Sequence, residues 1–424
     1  MTILIKNGRV VNPAKNIDTE QDVLIKNSKI STVAKDIKEK ADQEIDAKGK
    51  IVMPGIVDMH VHLREPGRED KENIQSGTTA ALKGGVISVL VMPNTQPAID
   101  STKNVKLLKE LIKNSAQTNV LIAGSITISR RGMELTDITA LKKEGVVAIT
   151  DDGCSVDNEK LLSAAFQKAK QNNILTICHC EDKALSHEGV VNLGIVSTML
   201  GLRGISKESE YKRVERDIKL AEKVGAPIHI THVSCKESVD IIASAKKRGA
   251  HVTCETAPHY FSLDDQELLG YNTNLKINPP LRTKIDVEAI REGLKSSVID
   301  VIASDHAPHT ENEKDIEFER AEFGTIGLET ILAVSIKELI ETGYLSWLEL
   351  TKKLCFNPSK ILGQDKGVLQ EGAVADIIIV DPEKEWIVKK EDFISKSKNS
   401  AFIGKKLKGS VEYTISKGKV VYKK

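Results

Sequence analysis

Short apolar segments recur along the middle of the chain and predict a series of buried β-strands. Eight such segments alternate with stretches of helical character, for example residues 158–173 and 211–226. The eight segments lie at residues 50–60, 86–94, 119–126, 146–152, 174–179, 227–232, 251–255 and 300–305. Strands that alternate with helices indicate parallel βα units, and eight units are the number that closes a (β/α)8 barrel.

Most of these segments end in a polar residue or in one that can bind a metal. The residues in question are His60, Asn94, Asp152, His179, His232, Glu255 and Asp305. The carboxyl ends of barrel strands gather at one mouth, which is where such enzymes place their chemistry. We therefore predict that these side chains meet in one site.

The two ends of the chain have a different pattern. Residues 1–50 and 367–424 carry short strand-like pieces with tight turns, and neither stretch is long enough for a core of its own. We therefore predict an α/β fold in which a TIM-like (β/α)8 barrel at residues 54–364 stands beside one small β-sandwich-like domain. Residues 1–53 and 365–424 would build that domain together.

Charge and hydropathy exclude two classes of function. The chain has 424 residues, with 61 lysines and arginines against 60 aspartates and glutamates, so its net charge is +1. This balance excludes a nucleic-acid binder that works through bulk charge. The longest apolar stretches, such as residues 86–92, are far shorter than the roughly 20 residues of a membrane span. Residues 1–16 lack a secretion signal, and we expect a cytoplasmic protein without a nucleic-acid or membrane partner.

The six cysteines do not indicate a metal site or a disulfide framework. None forms a CxxC pair, and most lie inside apolar runs, where a reduced cysteine packs as a small hydrophobe. Cys178 and Cys180 flank His179, but neighbouring residues of a strand point to opposite faces, so the three side chains cannot converge.

The most informative motif is DMHVHLREPG at residues 58–67. His60 and His62 are two residues apart, so on a strand they share one face with their Cα atoms about 7 Å apart. Two imidazoles on one face can bind a metal ion. A pair of ordinary core or surface histidines is the alternative interpretation, but the motif stands at the mouth-facing end of the first barrel strand and is followed by Arg64.

Four further strand ends supply the remaining candidate ligands, which are Asp152, His179, His232 and Asp305. A carboxylate between two zinc ions would offset their charge and bridge them. Asp151 is the alternative to Asp152, and strand alternation leaves only one of the two facing the mouth. We expect the other histidines to be structural. His229 should point away from His232, and His251 begins its strand, at the end away from the mouth. The apolar periodicity does not indicate where His187 and His259 lie.

The motif at residues 58–67, together with ASDHAPHTENEK at 303–314, resembles the paired signatures of dihydroorotases within the cyclic amidohydrolase superfamily. Supporting similarities are VMPNTQP (91–97), CETAPHYF (254–261), KINPPLR (276–282) and GAVADIIIVDP (372–382). The resemblance covers essentially the whole chain. It is closest to the long bacterial class (class I), which has a β-domain beside the barrel.

The resemblance implies the metal ligands. His60, His62 and Asp305 would hold the more buried zinc, and His179 and His232 would hold a second. Asp152 matches the bridging position, where hydantoinases have a carboxylated lysine instead. One or two zinc ions per subunit are therefore implied, with two favoured.

The resemblance also implies the substrate site. Arg64, Asn94 and His309 would clamp the substrate's carboxylate, a task to which an arginine fork is suited. Asn278 and the backbone at Phe323 and Gly324 would contact the ring. Without the resemblance, Asn278 reads as an Asx-type turn and Phe323 as a core aromatic.

The implied activity is reversible cyclisation of N-carbamoyl-L-aspartate to L-dihydroorotate with loss of water, a step of pyrimidine synthesis. In the reverse direction a metal-activated hydroxide would attack the cyclic amide, with Asp305 as general acid and base. Another cyclic amidohydrolase, such as a hydantoinase or allantoinase, is the nearest alternative. A catalytically silent structural partner of aspartate carbamoyltransferase is a second. A homodimer and an association with aspartate carbamoyltransferase both stay open.

Overall fold

The computed structural model describes residues 2–424, in which strands from the middle and the ends of the chain form separate sheets. The strands are β1 (Thr2–Asn12), β2 (Ile17–Lys26), β3 (Lys29–Ala34), β4 (Gln43–Asp46), β5 (Ile51–Pro54), β6 (Ile56–Val61), β7 (Val86–Val91), β8 (Asn119–Gly124), β9 (Ala148–Ile149), β10 (Leu175–Cys178), β11 (Val191–Asn192), β12 (Gly204–Ile205), β13 (Ile228–Ile230), β14 (Val252–Thr256), β15 (Val301–Ile302), β16 (Ile377–Ile387), β17 (Lys406–Ser416) and β18 (Lys419–Lys423).

The helices lie mainly between the strands of the middle region. The α-helices are α1 (Ile74–Lys83), α2 (Thr102–Ser115), α3 (Ile138–Lys143), α4 (Glu159–Gln171), α5 (Lys183–Ser186), α6 (Ile195–Leu200), α7 (Glu208–Val224), α8 (Lys236–Lys247), α9 (Lys284–Lys295), α10 (Glu311–Lys314), α11 (Ile331–Ser335), α12 (Trp347–Thr351) and α13 (Asn357–Ile361). Short 3₁₀ helices lie at Ile128–Arg130, Pro258–Tyr260, Asp265–Gly270, Thr273–Leu275 and Lys390–Asp392, and π-helical turns at Ile336–Ile340 and Lys352–Phe356.

Eight parallel strands form the predicted barrel. Their order is β6-β7-β8-β9-β10-β13-β14-β15, which follows the chain. A parallel bridge between Val61 and His306 lies where the first and last strands meet, and the His62 N–H donates to the His306 carbonyl there at 2.9 Å. The prediction of a (β/α)8 barrel is confirmed.

Both ends of the chain contribute to one mixed sheet. Its order is β18-β17-β16-β5-β1-β2-β3, and β4 pairs with the first half of β1 on the edge that β5 occupies farther along. In β16, Ile377 and Ile379 lie in the apolar core of this sheet, whereas Ile378 and Val380 pack into the core of the barrel. The two-residue period of a strand therefore joins the sheet to the barrel through a single element.

One segment differs from the prediction. Residues 50–60, which the apolar pattern predicts as one strand, form β5 in the mixed sheet and β6 in the barrel, with Gly55 between them. A Cβ atom at Gly55 would lie 2.3 Å from the side chain of Ile87, so only glycine fits where the chain passes between the two sheets. An unbroken apolar run does not reveal which sheet each half joins.

The connection between β16 and β17 leaves the mixed sheet and crosses to the barrel. We call residues 395–401 of this connection the strap. The Ser397 hydroxyl donates to the Lys71 carbonyl at 2.6 Å, and the Ala401 N–H donates to the Thr325 hydroxyl at 2.8 Å. The strap thereby contacts the loops that follow the first and last barrel strands.

Two further features bear on the sequence predictions. All six cysteines are free, and all but Cys154 are buried, as expected for reduced core residues. Within residues 2–424, no helix has the length and apolar character needed to cross a bilayer.

Candidate active site

A cavity of about 690 Å³ opens at the carboxyl ends of the barrel strands. All of the predicted site residues except His60 line it, and His60 lies fully buried beneath. The lining members are His62, Arg64, Asn94, Asp152, His179, His232, Asn278, Asp305, His309, Phe323 and Gly324. The expectation that strand ends meet in one site therefore agrees with the geometry.

Asp152 lies at the centre of four imidazoles. Its Oδ1 lies 3.3 Å from His60 Nε2, 3.6 Å from His179 Nδ1 and 3.8 Å from His232 Nε2. Its Oδ2 lies 3.6 Å from His62 Nε2. Two groups of three ligand atoms result, one with His60 and His62 and one with His179 and His232, and Asp152 belongs to both. Within each group the atoms lie within 4.8 Å of one another. We call Asp152 and these four histidines the cluster.

Asp305 faces the first of these groups. Its Oδ1 lies 3.4 Å from His62 Nε2 and 3.5 Å from His60 Nε2. Burial raises the pKa of the Asp305 carboxyl, but the neighbouring histidines outweigh burial and hold that pKa well below its usual range. Asp305 is therefore ionised at neutral pH.

Three site residues turn into the cavity through left-handed backbone. The φ angles are +62° at Arg64, +32° at His232 and +47° at Asp305, a region that residues with a Cβ rarely adopt. Such conformations cost about 1–3 kcal/mol each and concentrate at functional sites. His232 and Asp305 lie two and three residues after the ends of β13 and β15, so the strain lies just beyond the strand ends, where the side chains turn toward the cluster.

Glu255 orients His60. Its Oε1 accepts a hydrogen bond from His60 Nδ1 at 2.6 Å, while its Oε2 lies 3.3 Å from His229 Nε2. The other ring nitrogen of His229 contacts the Thr253 hydroxyl, so His229 stays outside the cluster, as expected. With the proton of His60 on Nδ1, its Nε2 lone pair points at the cluster.

The rings of His62 and His179 are held in the same way. His62 Nδ1 contacts the amide oxygen of Asn94 at 2.9 Å, and His179 Nε2 contacts Glu181 at 3.3 Å. The Asn278 amide donates to the same Glu181 carboxylate at 3.2 Å. Each acceptor engages the ring nitrogen that faces away from the cluster, so the other nitrogen faces the cluster, where it is a candidate metal ligand. His179 Nδ1 lies 2.8 Å from His232 Nε2, so these two nitrogens are close enough to share one ion.

The donor set fits a divalent metal ion. His60 Nε2 and Asp152 Oδ1 are buried, lie 3.3 Å apart and have no hydrogen-bond partner among residues 2–424. Buried polar atoms without partners are costly, and a cation between these two would satisfy both. Imidazole nitrogens together with carboxylate oxygens are ligands that zinc accepts.

Asp151 does not compete for this role. Its Oδ1 accepts from the N–H groups of Ile126 and Thr127, and its Oδ2 accepts from the Thr127 hydroxyl. Of the two adjacent aspartates only Asp152 faces the cluster, in line with strand alternation.

A cationic recess, formed by Arg64 and His309 with Lys71 in contact with His309, adjoins the cluster. Arg64 Nε donates to the Pro308 carbonyl at 3.1 Å, and a terminal nitrogen of Arg64 lies 3.2 Å from His309 Nε2. Lys71 Nζ lies 3.1 Å from His309 Nδ1. Burial lowers the pKa of Arg64 to about 10, which leaves it charged, and burial with the two cations lowers the pKa of His309. The recess is positively charged and suits an anion.

Gly324 closes the cavity on the side of the recess. Its N–H donates to the Lys276 carbonyl at 2.9 Å, and its φ is +142°. A Cβ atom there would lie 2.8 Å from the side chain of Ala307, so both the backbone conformation and the space require glycine. The neighbouring Phe323 ring lies under the Lys276 ammonium, 4.6 Å from the ring centroid.

Sequence reasoning missed two residues of the site, Glu181 and Lys71, and the role of a third, Glu255. Glu255 was visible only as a polar strand end, without its role beneath His60. Glu181 follows His179 by two residues, so its proximity to the cluster was detectable from the spacing. Lys71 lies in a loop after β6, where no periodic signal identifies it.

The remaining histidines lie outside the cluster. His251 is exposed directly before β14, at the amino end of that strand and away from the mouth, as expected. His187, expected to be structural, is exposed and lines the rim of the cavity. His259 is buried, and its Nε2 has no hydrogen-bond partner within residues 2–424.

Comparison with known proteins identifies similar sequences. A family model described as dihydro-orotase-like matches residues 49–238. The chain is 49% identical over 420 residues to the dihydroorotase of Elusimicrobium minutum, covering 99% of this chain and 97% of that protein. It is 49% identical over 425 residues to the dihydroorotase of Geotalea daltonii, with 100% of each covered.

Solved structures with the same fold include hydantoinases. The L-hydantoinase (dihydropyrimidinase) from Arthrobacter aurescens has a TM-score of 0.91 and 25% identity, over 100% of this chain and 96% of that one. A D-hydantoinase has a TM-score of 0.88 and 25% identity, over 100% of this chain and 95% of that one. The predicted architecture, a barrel with β-structure from both chain ends, is the one these proteins share.

Proposed function

The chain belongs to the dihydroorotase family and is a cyclic amidohydrolase, and from this premise we propose that it interconverts L-dihydroorotate and N-carbamoyl-L-aspartate with the help of zinc. One observation carries the proposal. A single cavity joins a nitrogen–carboxylate cluster centred on Asp152 to the cationic recess formed by Arg64 and His309. A substrate with both a cyclic amide and a carboxylate needs these two features side by side.

The residues that would hold zinc follow from the two groups. His60, His62 and Asp305 would hold one ion, and His179 and His232 a second, with Asp152 between them. Zinc, when bound, would lower the pKa of a water molecule and polarise an amide carbonyl. All these ligands come from one chain.

Asp305 is the proposed general base and acid. Its carboxylate is ionised and faces the cavity, so it is ready to accept a proton from water as the oxygen attacks the ring amide. The ring C–N bond then breaks, and Asp305 returns the proton to the departing nitrogen. The same steps in reverse close N-carbamoyl-L-aspartate with release of water.

The recess would bind the carboxylate that does not react. Arg64 presents a charged guanidinium, and a carboxylate accepts two parallel hydrogen bonds from such a group. The Asn94 amide oxygen already accepts from His62, which leaves its NH₂ group to donate to the ligand. Binding at the recess fixes the ring relative to Asp305, because both line the same cavity.

The alternatives are less well supported. Hydantoinases share the fold at 25% identity, but a hydantoin need not carry a carboxylate, so the recess would have no ligand. A silent partner of aspartate carbamoyltransferase would not need the complete donor set. The buried His60 Nε2 and Asp152 Oδ1, left without partners among residues 2–424, favour an active metal site over that reading.

The test is hydrolysis of L-dihydroorotate by the purified protein, measured directly, after chelation and after zinc is restored, with hydantoin as the control substrate. We expect zinc-restorable turnover of L-dihydroorotate alone. Turnover of hydantoin instead would move the protein to the hydantoinases. No turnover of either substrate, with zinc bound, would favour the silent homologue.

A further inference from the structure

We propose that Asn399, in the strap, is a positioning residue for the carboxylate-binding side of the active site. The inference rests on the proposed function, because it assigns a role at the same cavity. Asn399 is 4% exposed and does not line the cavity, so it acts on a ligand only through other residues.

The Asn399 amide holds the backbone on two sides of the recess. Its Oδ1 accepts from the His309 N–H at 3.1 Å. Its Nδ2 donates to the carbonyls of Ala307 and Gly324, each at 3.1 Å. One side chain therefore ties the segment after β15, which carries His309, to the segment that carries Gly324.

Asparagine is the residue that this arrangement requires. The amide supplies one acceptor and two donors in one plane, and all three contacts use them. Aspartate has nearly the same shape but lacks N–H groups, so its second oxygen would face the carbonyl oxygens of Ala307 and Gly324. Alanine would leave one buried N–H without its partner.

The strap itself is fixed, so Asn399 has a rigid base from which to act. The Asn399 carbonyl accepts from the Ile326 N–H and from the Thr325 hydroxyl, both at 3.1 Å. The Thr325 hydroxyl in turn accepts from the Ala401 N–H at 2.8 Å. A second anchor is the Ser397 contact to the Lys71 carbonyl described above, and Lys71 is the residue whose ammonium contacts His309.

Lys314 is a second donor to the Gly324 carbonyl. Its Nζ lies 3.0 Å from the Gly324 carbonyl and 2.7 Å from the Glu322 carbonyl. The Gly324 carbonyl thus accepts from two buried donors that come from different segments. Loss of the Asn399 donor leaves the Gly324 carbonyl with the Lys314 ammonium but without the strap. The His309 N–H keeps its acceptor as long as residue 399 still offers an oxygen.

The informative variant is therefore Asn399→Asp, which keeps the contact to His309 and removes the two donors. We expect the KM for L-dihydroorotate to rise about tenfold, in keeping with the loss of hydrogen bonds that position a binding group. We expect kcat to stay within about threefold of its original value, because Asp305 and the cluster are untouched. The inhibition constant of orotate, which has the ring and the carboxylate, should rise in parallel with KM.

Asn12→Asp is the matched control. Asn12 is a fully buried asparagine in β1 whose Nδ2 donates to the Leu369 carbonyl at 2.5 Å, and neither residue lines the cavity. It should lower the temperature of unfolding and leave KM and the orotate constant unchanged. If Asn12→Asp raises KM as much as Asn399→Asp does, the effect is general destabilisation and the inference is wrong.

A second variant covers the case in which Asn399→Asp does not fold. Thr325→Val removes the hydroxyl that anchors the strap and leaves Asn399 in place, and it should raise KM about threefold. If a variant folds and its KM is unchanged, the inference about Asn399 is wrong, and the proposed function is unaffected. If the unmodified protein does not turn over L-dihydroorotate, the proposed function fails and the inference falls with it.

Discussion

His60 Nδ1 lies 2.6 Å from Glu255 Oε1, and both side chains are only 1% exposed. Burial raises the pKa of Glu255, but hydrogen bonds from His229 and His60 outweigh it and lower that pKa to about 2. Glu255 is therefore a buried carboxylate that stays charged between two imidazoles. Its charge increases the basicity of His60 Nε2, the atom that faces Asp152.

Glu255→Gln should weaken metal binding about 10- to 100-fold, because it removes the charge that orients His60 without removing a ligand. Competition with a chelator of known affinity measures the change. Glu72→Gln is the control, since Glu72 is a buried carboxylate that pairs with His306 outside the cluster. Equal metal affinity in Glu255→Gln and the unmodified protein would contradict the role assigned to Glu255.

Asp152→Asn should reduce the metal content by at least one ion per chain, because Asp152 belongs to both groups of ligand atoms and an amide is a poor metal ligand. Elemental analysis of protein purified with zinc gives the content. Asp151→Asn is the neighbouring control: it disturbs the contacts to Ile126 and Thr127 and should cost stability while the metal content stays unchanged. The reverse pattern would mean that the bridging aspartate has been assigned wrongly.

Asp305→Asn should lower kcat by about 10²–10⁴-fold, the range that a general acid or base contributes. The value of kcat/KM should fall by the same factor for ring opening and ring closure, because the ratio of the two kcat/KM values equals the equilibrium constant, which does not depend on the enzyme. Both rates should be measured with zinc at saturation, so that a weakened ligand is not mistaken for a lost proton carrier. A variant that retains full activity would exclude Asp305 as the proton carrier.

The barrel and most of the cluster could be predicted from the sequence because both depend on local patterns of apolar and polar residues. The apolar segments mark the strands, and alternation decides which side chain at a strand end faces the mouth, as at Asp151 and Asp152. Barrel closure then brings together ends that are far apart in the chain, so His60 and Asp305 meet without any further information.

The parts that escaped prediction depend on pairing between distant irregular segments. Asn399 contacts His309 across 90 residues of sequence, and the strap has no periodic pattern that predicts its path. Lys71 likewise reaches His309 from a loop. The division of residues 50–60 between two sheets depends on Gly55 meeting Ile87, a packing contact that the apolar run does not encode.

Arg64→Lys should raise the KM for L-dihydroorotate about tenfold or more, because an ammonium cannot form the paired hydrogen bonds of a guanidinium. Steady-state kinetics in the ring-opening direction measure it. Arg68→Lys is the matched control, since Arg68 pairs with Asp70 and Glu313 rather than lining the cavity. If both variants show the same KM, Arg64 does not bind the substrate's carboxylate.

His259 should make the protein less stable in acid. Its ring packs edge-on against Tyr260, with 4.2 Å between centroids, and burial lowers its pKa from an ordinary 6.5 to about 4. Between these two values the unfolded chain binds a proton that the folded chain does not. The free energy of unfolding therefore falls as the pH drops through this window, by about 3 kcal/mol from this residue.

His259→Phe keeps an aromatic ring and removes the titration. The free energy of unfolding of the variant and of the unmodified protein should be measured by urea titration at several values of pH. The value for the variant minus the value for the unmodified protein should increase by about 3 kcal/mol as the pH falls from 7 to 4. Overpacking by the larger ring shifts the two curves by a constant, so the change in their difference with pH is the quantity that decides. Parallel curves would mean that His259 binds its proton equally well in the folded and unfolded chains, and that its burial does not cause the loss of stability in acid.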